Sequence, residues 1–392
     1  LAVDAVFGTG IQPPVRGDYV GLFQAFNELP TPVLSVDIPS GVCGDTGLVD
    51  PVAVRADVTI TVGLPKLGLL LPPGRDCTGD LAVVDIGFAP EVSDRHTEDL
   101  VYLTPSEYAG LLPPRASDVH KYQCGTVLVV AGSRAFGGAA LLAGQGALRS
   151  GAGLVSVAVP SCLEIPIRCG LPEALVSALD MTAAGTIAPL PSEVISALLH
   201  RQQAVAIGPG LADDPATDEF VVSWLRQLTL PVVVDADALS AFARTGAEPR
   251  FGSSQVVLTP HAGELGRMVG MPPAEVTARK LELAPKLARQ WGVTLLLKGS
   301  PAVIAAADGS VVINAAGDDS LAHGGTGDVL TGLIGGLLAQ DCTGRDAAVL
   351  GAYLHAKAGQ NAALYGSRRS VLAREVADNL GEVLADLEDL RA

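Results

Sequence analysis

Aromatic side chains make up only 4% of this 392-residue chain, and no apolar run approaches membrane-spanning length. Few rings beside 45 glycines point to close helix–sheet packing and many tight turns rather than a core of large side chains. Positive charge is scarce too: 26 Lys and Arg stand against 42 Asp and Glu, a formal net charge of −16. No basic face for nucleic acid forms easily against that background, so nucleic acid is not expected as a partner. An anionic small molecule needs only local positive potential and stays open. The six cysteines (Cys43, Cys77, Cys124, Cys162, Cys169 and Cys342) contain no C-x-x-C pair. Neither a zinc site nor a disulfide framework is therefore indicated, and a reducing cytoplasm is the expected location. Nothing at the start resembles a signal peptide, and no membrane association is expected. There is no G-x-x-x-x-G-K-[ST] P-loop, no internal repeat and no low-complexity tract.

What is present is a chain long and apolar enough, at 48% hydrophobic residues, for two domains. Short β-branched runs alternate with helical patterns, as in parallel α/β units. Strands are expected at residues 1–7, 32–36, 58–62 and 81–86, with a helix over 20–29. The opening strand reads as already under way, with no initiator Met, so the chain is expected to be a piece of a longer protein. A polar stretch over 90–99 has no apolar periodicity. The boundaries that follow are a first domain over 1–95, a linker over 96–104 and a second domain over 105–392. In the second, buried strands are expected at 125–130, 154–159, 204–207, 231–234, 255–258 and 293–297. A small-residue helix is expected over 139–150 and an amphipathic one over 369–390.

The most informative stretch is Gly324-Gly325-Thr326-Gly327-Asp328, running into the apolar segment 329–338. Glycines that deliver free backbone N–H groups to a helix start make an anion site. Asp328 then serves equally well as a base beside a bound phosphate or as an ordinary helix cap. In open parallel sheets, ligands bind beyond the carboxyl ends of strands. Those ends carry Asp4, Gly8-Thr9-Gly10, and Asp37 with Ser40 in the first region; in the second they carry Gly208-Pro209-Gly210, Asp235-Ala236-Asp237, residues 259–264 with His261, and Lys298-Gly299-Ser300-Pro301-Ala302. Asp4, Asp37 and Ser40 could hold a hard cation, or 37–41 could be only a turn. The second set outlines a crevice with a cation, amides for phosphate and a carboxylate, an inventory suited to phosphoryl transfer.

The residues Val3 to Gly10, Ser35 to Gly41, His120-Lys121, Gly132 to Ala140, Thr259 to Glu264, Lys298-Gly299-Ser300 and Gly324 to Gly332 resemble the bifunctional NAD(P)H-hydrate repair enzymes. In that family an epimerase domain is fused to an ADP-dependent dehydratase. The resemblance covers nearly the whole chain. It implies an α/β protein in which a truncated Rossmann-like epimerase domain precedes a ribokinase-like α/β domain. It also implies that the dehydratase phosphorylates the ring hydroxyl of a hydrated nicotinamide nucleotide from ADP, leaving AMP, and then eliminates phosphate. Asp328 would deprotonate or orient that hydroxyl. Lys298, Gly299, Ser300, Pro301 and Ala302, with Gly324, Gly325, Thr326, Gly327 and the segment from Asp318, would hold ADP. Ala140, Gly210 and His261 would line the hydrate site. In the first domain Asp4 and Ser40 would bind K+, and Asp37, Tyr19, Gly8, Thr9, Gly10 and Pro14 would contact the hydrate during R/S epimerisation. Mg2+ is an expected partner of the phosphates, although no ligand set for it is evident. A homo-oligomer is expected as well, carried by no residue pattern.

Two departures stand out. Gly317-Asp318-Asp319 replaces the family's Gly-Asn-Pro, putting two carboxylates near a nucleotide phosphate, unfavourable unless a cation sits between them or they point away. Ala262 stands where Pro is common, a change in backbone rigidity. The family's Asn-rich loop before Leu1 is absent, so weak or no epimerisation is expected beside an intact dehydratase. Two other functions compete: a ribokinase-like small-molecule kinase, and a nucleotide-binding regulatory protein with a degenerate site.

Overall fold

Five consecutive buried residues, Thr126–Val130, form an interior strand of the larger sheet; each side chain is covered, as strands with helices on both faces require. The computed structural model describes residues 1–88 and 100–391. Its contacts divide the chain into two units, Leu1–Tyr102 and Leu103–Ala392. The polar stretch over 90–99 lies outside the described residues. The expected linker over 96–104 is not wholly loop: Leu100–Val101 is a short strand, and Thr104 already caps the helix Pro105–Gly110.

In the first unit four parallel strands lie in chain order: Ala2–Asp4, Val33–Val36, Val58–Val62 and Asp80–Val84. The strand expected over 1–7 ends at Asp4, because beyond it the backbone turns to bring Asp4 onto Ser40. The helix Asp18–Asn27 buries Phe23 against Val15, Val33 and Val54.

In the second unit, spatial order runs Leu175–Leu179, Leu154–Pro160, Thr126–Val130, Ala204–Ile207, Val232–Val234, Val256–Leu258, Thr294–Leu297, Ala302–Ala305 and Val311–Asn314. Neighbours pair in parallel as far as Thr294–Leu297; Ala302–Ala305 and Val311–Asn314 are antiparallel additions. From Thr126–Val130 the chain winds outward to Leu175–Leu179, then returns to the other side at Ala204–Ile207. The winding direction reverses between those two central strands, the place where open α/β sheets bind ligands. There Gly132 N donates to Pro209 O at 2.8 Å.

The helix Thr326–Ala339 is buried along almost its whole length and packs against the helix Gly137–Arg149. Glycine makes the approach possible. A Cβ on Gly332 would lie 1.8 Å from Ala143 O, and one on Gly146 would lie 2.1 Å from Val329 O. Each helical glycine costs about 1 kcal/mol relative to alanine, and here the cost is offset by backbone-to-backbone packing. No helix among the described residues is long and apolar enough to cross a membrane.

Candidate active site

The buried helix Thr326–Ala339 begins at Gly325, which is left-handed at φ 93°, and no side chain caps that end. Its first-turn N–H groups therefore lack intrahelical partners and point out with the positive end of the dipole. Asp328 sits in that first turn and caps nothing, so the ordinary capping role open in the sequence does not hold. From beneath, His355 Nε2 lies 2.8 Å from Thr326 O. Burial, with Lys298 nearby, lowers the pKa of His355 to about 4, even though its bond to Thr326 works the other way. The ring is therefore neutral at physiological pH and donates that hydrogen bond. Thr326 Oγ1 donates back to Leu321 O at 3.0 Å. The turn is pinned on both sides.

Below this turn lies a charge cluster. Lys298 Nζ is 2.8 Å from Asp235 Oδ1 and 3.9 Å from Glu264 Oε2. Asp235 is almost wholly buried, and its other oxygen accepts from Thr331 Oγ1 at 2.6 Å. A Cβ on Gly327 would lie 3.5 Å from Lys298 Nζ and 3.8 Å from Asp235 Oδ2, so the turn rests directly over the ion pair. Burial, and then the negative charge of Asp235, push Asp328 up to about 7; Lys298 opposes them, while Asp237 and Glu264 add to the rise. Burial disfavours the Lys298 ammonium, but Asp235, Glu264 and Asp328 outweigh it and hold its pKa above the ordinary lysine value. The result is a cation that stays charged beside a carboxyl poised near neutrality.

The remaining expected residues are placed unevenly. Gly210, left-handed at φ 65°, abuts Phe136 and Ala139 at the winding reversal, so Gly210 and the Ala140 turn are brought together. Ala140 is fully buried, its methyl packed toward Gly132, so it shapes the turn and has no exposed surface of its own. His261 caps the helix Ala262–Val269: its Nδ1 accepts from Gly263 N at 2.9 Å, which leaves the proton on Nε2. Its side chain is exposed and retains that second donor. Gly299 and Ser300 are exposed, Pro301 O accepts from Lys280 Nζ at 3.0 Å, and Ala302 opens a strand. The Asp318 and Asp319 charges have a partner. Arg368 Nη1 lies 3.1 Å from Asp319 Oδ1 and 3.8 Å from Asp318 Oδ2, and Asp318 Oδ1 accepts from Ser320 N.

In the first unit Asp4 is fully buried and accepts from Ser40 Oγ at 2.6 Å, Ser40 N at 2.8 Å and Ser35 Oγ at 2.8 Å. Asp37, at the end of Val33–Val36, is left-handed at φ 68°, a strained backbone for a residue with a Cβ. Its Oδ1 accepts from Lys66 Nζ. Gly8, Thr9, Gly10, Pro14 and Tyr19 are exposed, with the Tyr19 ring packed 4.7 Å from that of Phe7.

Sequence reasoning left Thr331, His355, Arg368, Ser35 and Lys66 out of the sites. Thr331 carried a usable signal, since it lies one helical turn after Gly327. The others are brought in from segments distant along the chain.

Residues 127–381 match the family model described as NAD(P)H-hydrate dehydratase, and residues 1–68 match the model described as YjeF-related protein N-terminus. The chain is 40% identical over 389 residues to the bifunctional NAD(P)H-hydrate repair enzyme Nnr of Moorella thermoacetica, covering 99% of this chain and 73% of that protein. The Escherichia coli protein of the same name is 32% identical, over 98% of this chain and 71% of its own length. Among solved structures, the ADP/ATP-dependent NAD(P)H-hydrate dehydratase of Bacillus subtilis, co-crystallised with ATP/Mg2+, superposes with a TM-score of 0.63 at 34% identity, covering 73% of this chain and 98% of that one. A ribokinase-like superfamily protein of Enterococcus faecalis also gives 0.63, at 26% identity, covering 74% of this chain and 98% of that one.

Proposed function

Because the chain belongs to the family of bifunctional NAD(P)H-hydrate repair enzymes, we propose specific residue roles for its two activities, ADP-dependent dehydration of NAD(P)H hydrate and R/S epimerisation of that hydrate. The observation that carries the dehydratase assignment is the stacking of an uncapped helix start, through Gly327 in its first turn, over Lys298 and Asp235, with Asp328 beside them.

The hydrate's ring hydroxyl attacks the β-phosphorus of ADP, and the bond from that phosphorus to the bridging oxygen breaks to release AMP. Asp328 accepts the hydroxyl proton, a role matched to a carboxyl whose pKa lies near the working pH. The amides of Gly325, Thr326 and Gly327 and the Lys298 ammonium neutralise charge on the transferring phosphoryl group. Phosphate then leaves the ring carbon as a neighbouring ring C–H gives up its proton, which restores the dihydronicotinamide. His261 Nε2 and the backbone at Gly210, with buried Ala140 shaping the turn behind it, would orient the hydrate; Gly299, Ser300, Pro301 and Ala302 would position the nucleotide.

Mg2+ is ordinarily held through one or two carboxylates plus substrate phosphates. Glu264, close to Lys298, is a hard oxygen donor fit for that task, and the metal would supply charge neutralisation at the phosphates. In the first unit, Asp4 and Ser40 present adjoining hard oxygens that suit K+, which would replace the hydrogen bond between them. Asp37 would exchange a proton with the hydrate's hydroxyl, beside Gly8, Thr9, Gly10, Pro14 and Tyr19.

The decisive experiment incubates the protein with the S hydrate of NADH and either ADP or ATP while following reduced-nicotinamide absorbance. Recovery with ADP, accompanied by AMP, is expected. Transfer from ATP to an alcohol without recovery of NADH would instead identify a small-molecule kinase, and no reaction with either nucleotide would mark a regulatory protein.

A further inference from the structure

Lys66 stands outside every role assigned above, yet it ends on Asp37, the one carboxylate among the described residues of the first unit that is held in a strained backbone. It follows the strand Val58–Val62 by a short turn. Its Nζ reaches Asp37 Oδ1, Thr61 Oγ1 at 3.1 Å and Val62 O at 2.8 Å. Three acceptors exhaust the three donors of an ammonium. Lys66 therefore has no donor left for a substrate.

The two oxygens of Asp37 are treated differently. Oδ1 takes Lys66, Thr61 Oγ1 at 3.3 Å and Val62 N at 3.3 Å. Oδ2 takes no hydrogen bond among the described residues, and it faces the glycine loop: a Cβ on Gly8 would stand 3.8 Å from it. Asp37 N is itself held by Ile60 O at 2.8 Å. Both partners are about one-fifth exposed, so the pair is shielded without being sealed. Backbone, strand and ammonium together fix one oxygen and leave the other open toward the loop.

We infer that Lys66 is a positioning residue for epimerisation: it ties down Asp37 Oδ1 so that Oδ2 alone meets the hydrate over the Gly8 loop. This rests on the assignment of Asp37 as the proton-exchanging group. Removing the ammonium frees the carboxylate to rotate, so that Oδ2 is no longer held toward the loop.

The chain supplies its own assay. Given the R hydrate and excess ADP, NADH returns only as fast as R is converted to S. Given the S hydrate, the rate reports dehydration alone. Lys66→Met should lower kcat on the R hydrate at least tenfold with KM within threefold, and leave the S-hydrate rate unchanged. Thr61→Val, a smaller perturbation that keeps the β-branched strand residue, should cost about threefold on the R hydrate. Wild-type kcat and KM on the R hydrate in both variants overturn the inference, provided Asp37→Asn has lost epimerisation. If Asp37→Asn itself retains the wild-type R-hydrate rate, the assignment of Asp37 falls, and the role of Lys66 with it.

Discussion

Lys298 and Asp235 come from the ends of two strands that are not neighbours in the sheet, yet their charged atoms meet at 2.8 Å beneath the glycine turn. The strand Val256–Leu258 lies between them and supplies Glu264 just beyond its end. One ammonium, at the end of the third strand, thereby organises carboxylates from the other two strand ends, and the third carboxylate, Asp328, is left as the one whose protonation varies near neutrality.

Dehydration should therefore depend on pH through Asp328. With its carboxyl at about 7, kcat/KM on the S hydrate should rise as pH increases from 6 to 8 and level off above. Asp235→Asn removes the nearest charge that raises it, so the limb should move to lower pH even as the rate falls. An unmoved limb in that variant would separate Asp235 from Asp328.

The same shift carries a stability consequence. A carboxyl whose folded pKa lies above its unfolded value of about 4 favours folding at low pH, and that contribution disappears as pH rises through about 7. Asp328→Asn should therefore abolish turnover, bind ADP within a fewfold of wild type, and melt at higher temperature than wild type at pH 8. Calorimetry with and without ADP checks all of this. A loss of ADP binding alongside turnover would point to a structural role for the side chain.

Removing one member of the Lys298–Asp235 pair leaves the other poorly paired and costs about 3–5 kcal/mol where burial is deep; Lys298 is partly exposed, so the lower part of that range applies. Lys298→Met and Asp235→Asn should each destabilise the chain, while the double variant should be less destabilised than the sum of the two. Denaturant unfolding of all four proteins completes the cycle. Lys298→Arg should not rescue activity, because a planar fork cannot reproduce a point charge under the turn.

Arg368→Ala exposes the phosphate-proximal segment to two unanswered negative charges. The pair is a surface one, worth about 1 kcal/mol or less, so ADP affinity should fall about two- to fivefold. The loss should shrink at high salt and be reversed by adding Asp318→Asn and Asp319→Asn. Calorimetric titration at two ionic strengths reads it.

The strand ends and the glycine turn were legible because continuous apolar runs closed by Gly, Asp or Pro have few other readings. Leu175–Leu179 was not, since as an outer strand it alternates buried with exposed residues and carries a weak apolar signal. The hairpin of Ala302–Ala305 and Val311–Asn314 was passed over although Asp308-Gly309 marks its turn. Lys66 and Arg368 could not be found by spacing. Lys66 meets a carboxylate 29 residues away, and Arg368 answers Asp319 from 49 residues away. Their partners depend on which strands pair and where a late segment folds back.

The helix that presents the glycine turn has almost no exposed surface; its Gly332 lies against Ala143 backbone, and Gly146 of the facing helix lies against its Val329 backbone. Such an element cannot fray alone. Its amide hydrogens should exchange with deuterium only through cooperative opening of the second unit, among the slowest in the chain. On the proposed assignment, a nucleotide would meet a receptor already rigid before binding, and tight ligands should raise the melting temperature of the whole unit rather than order a local loop.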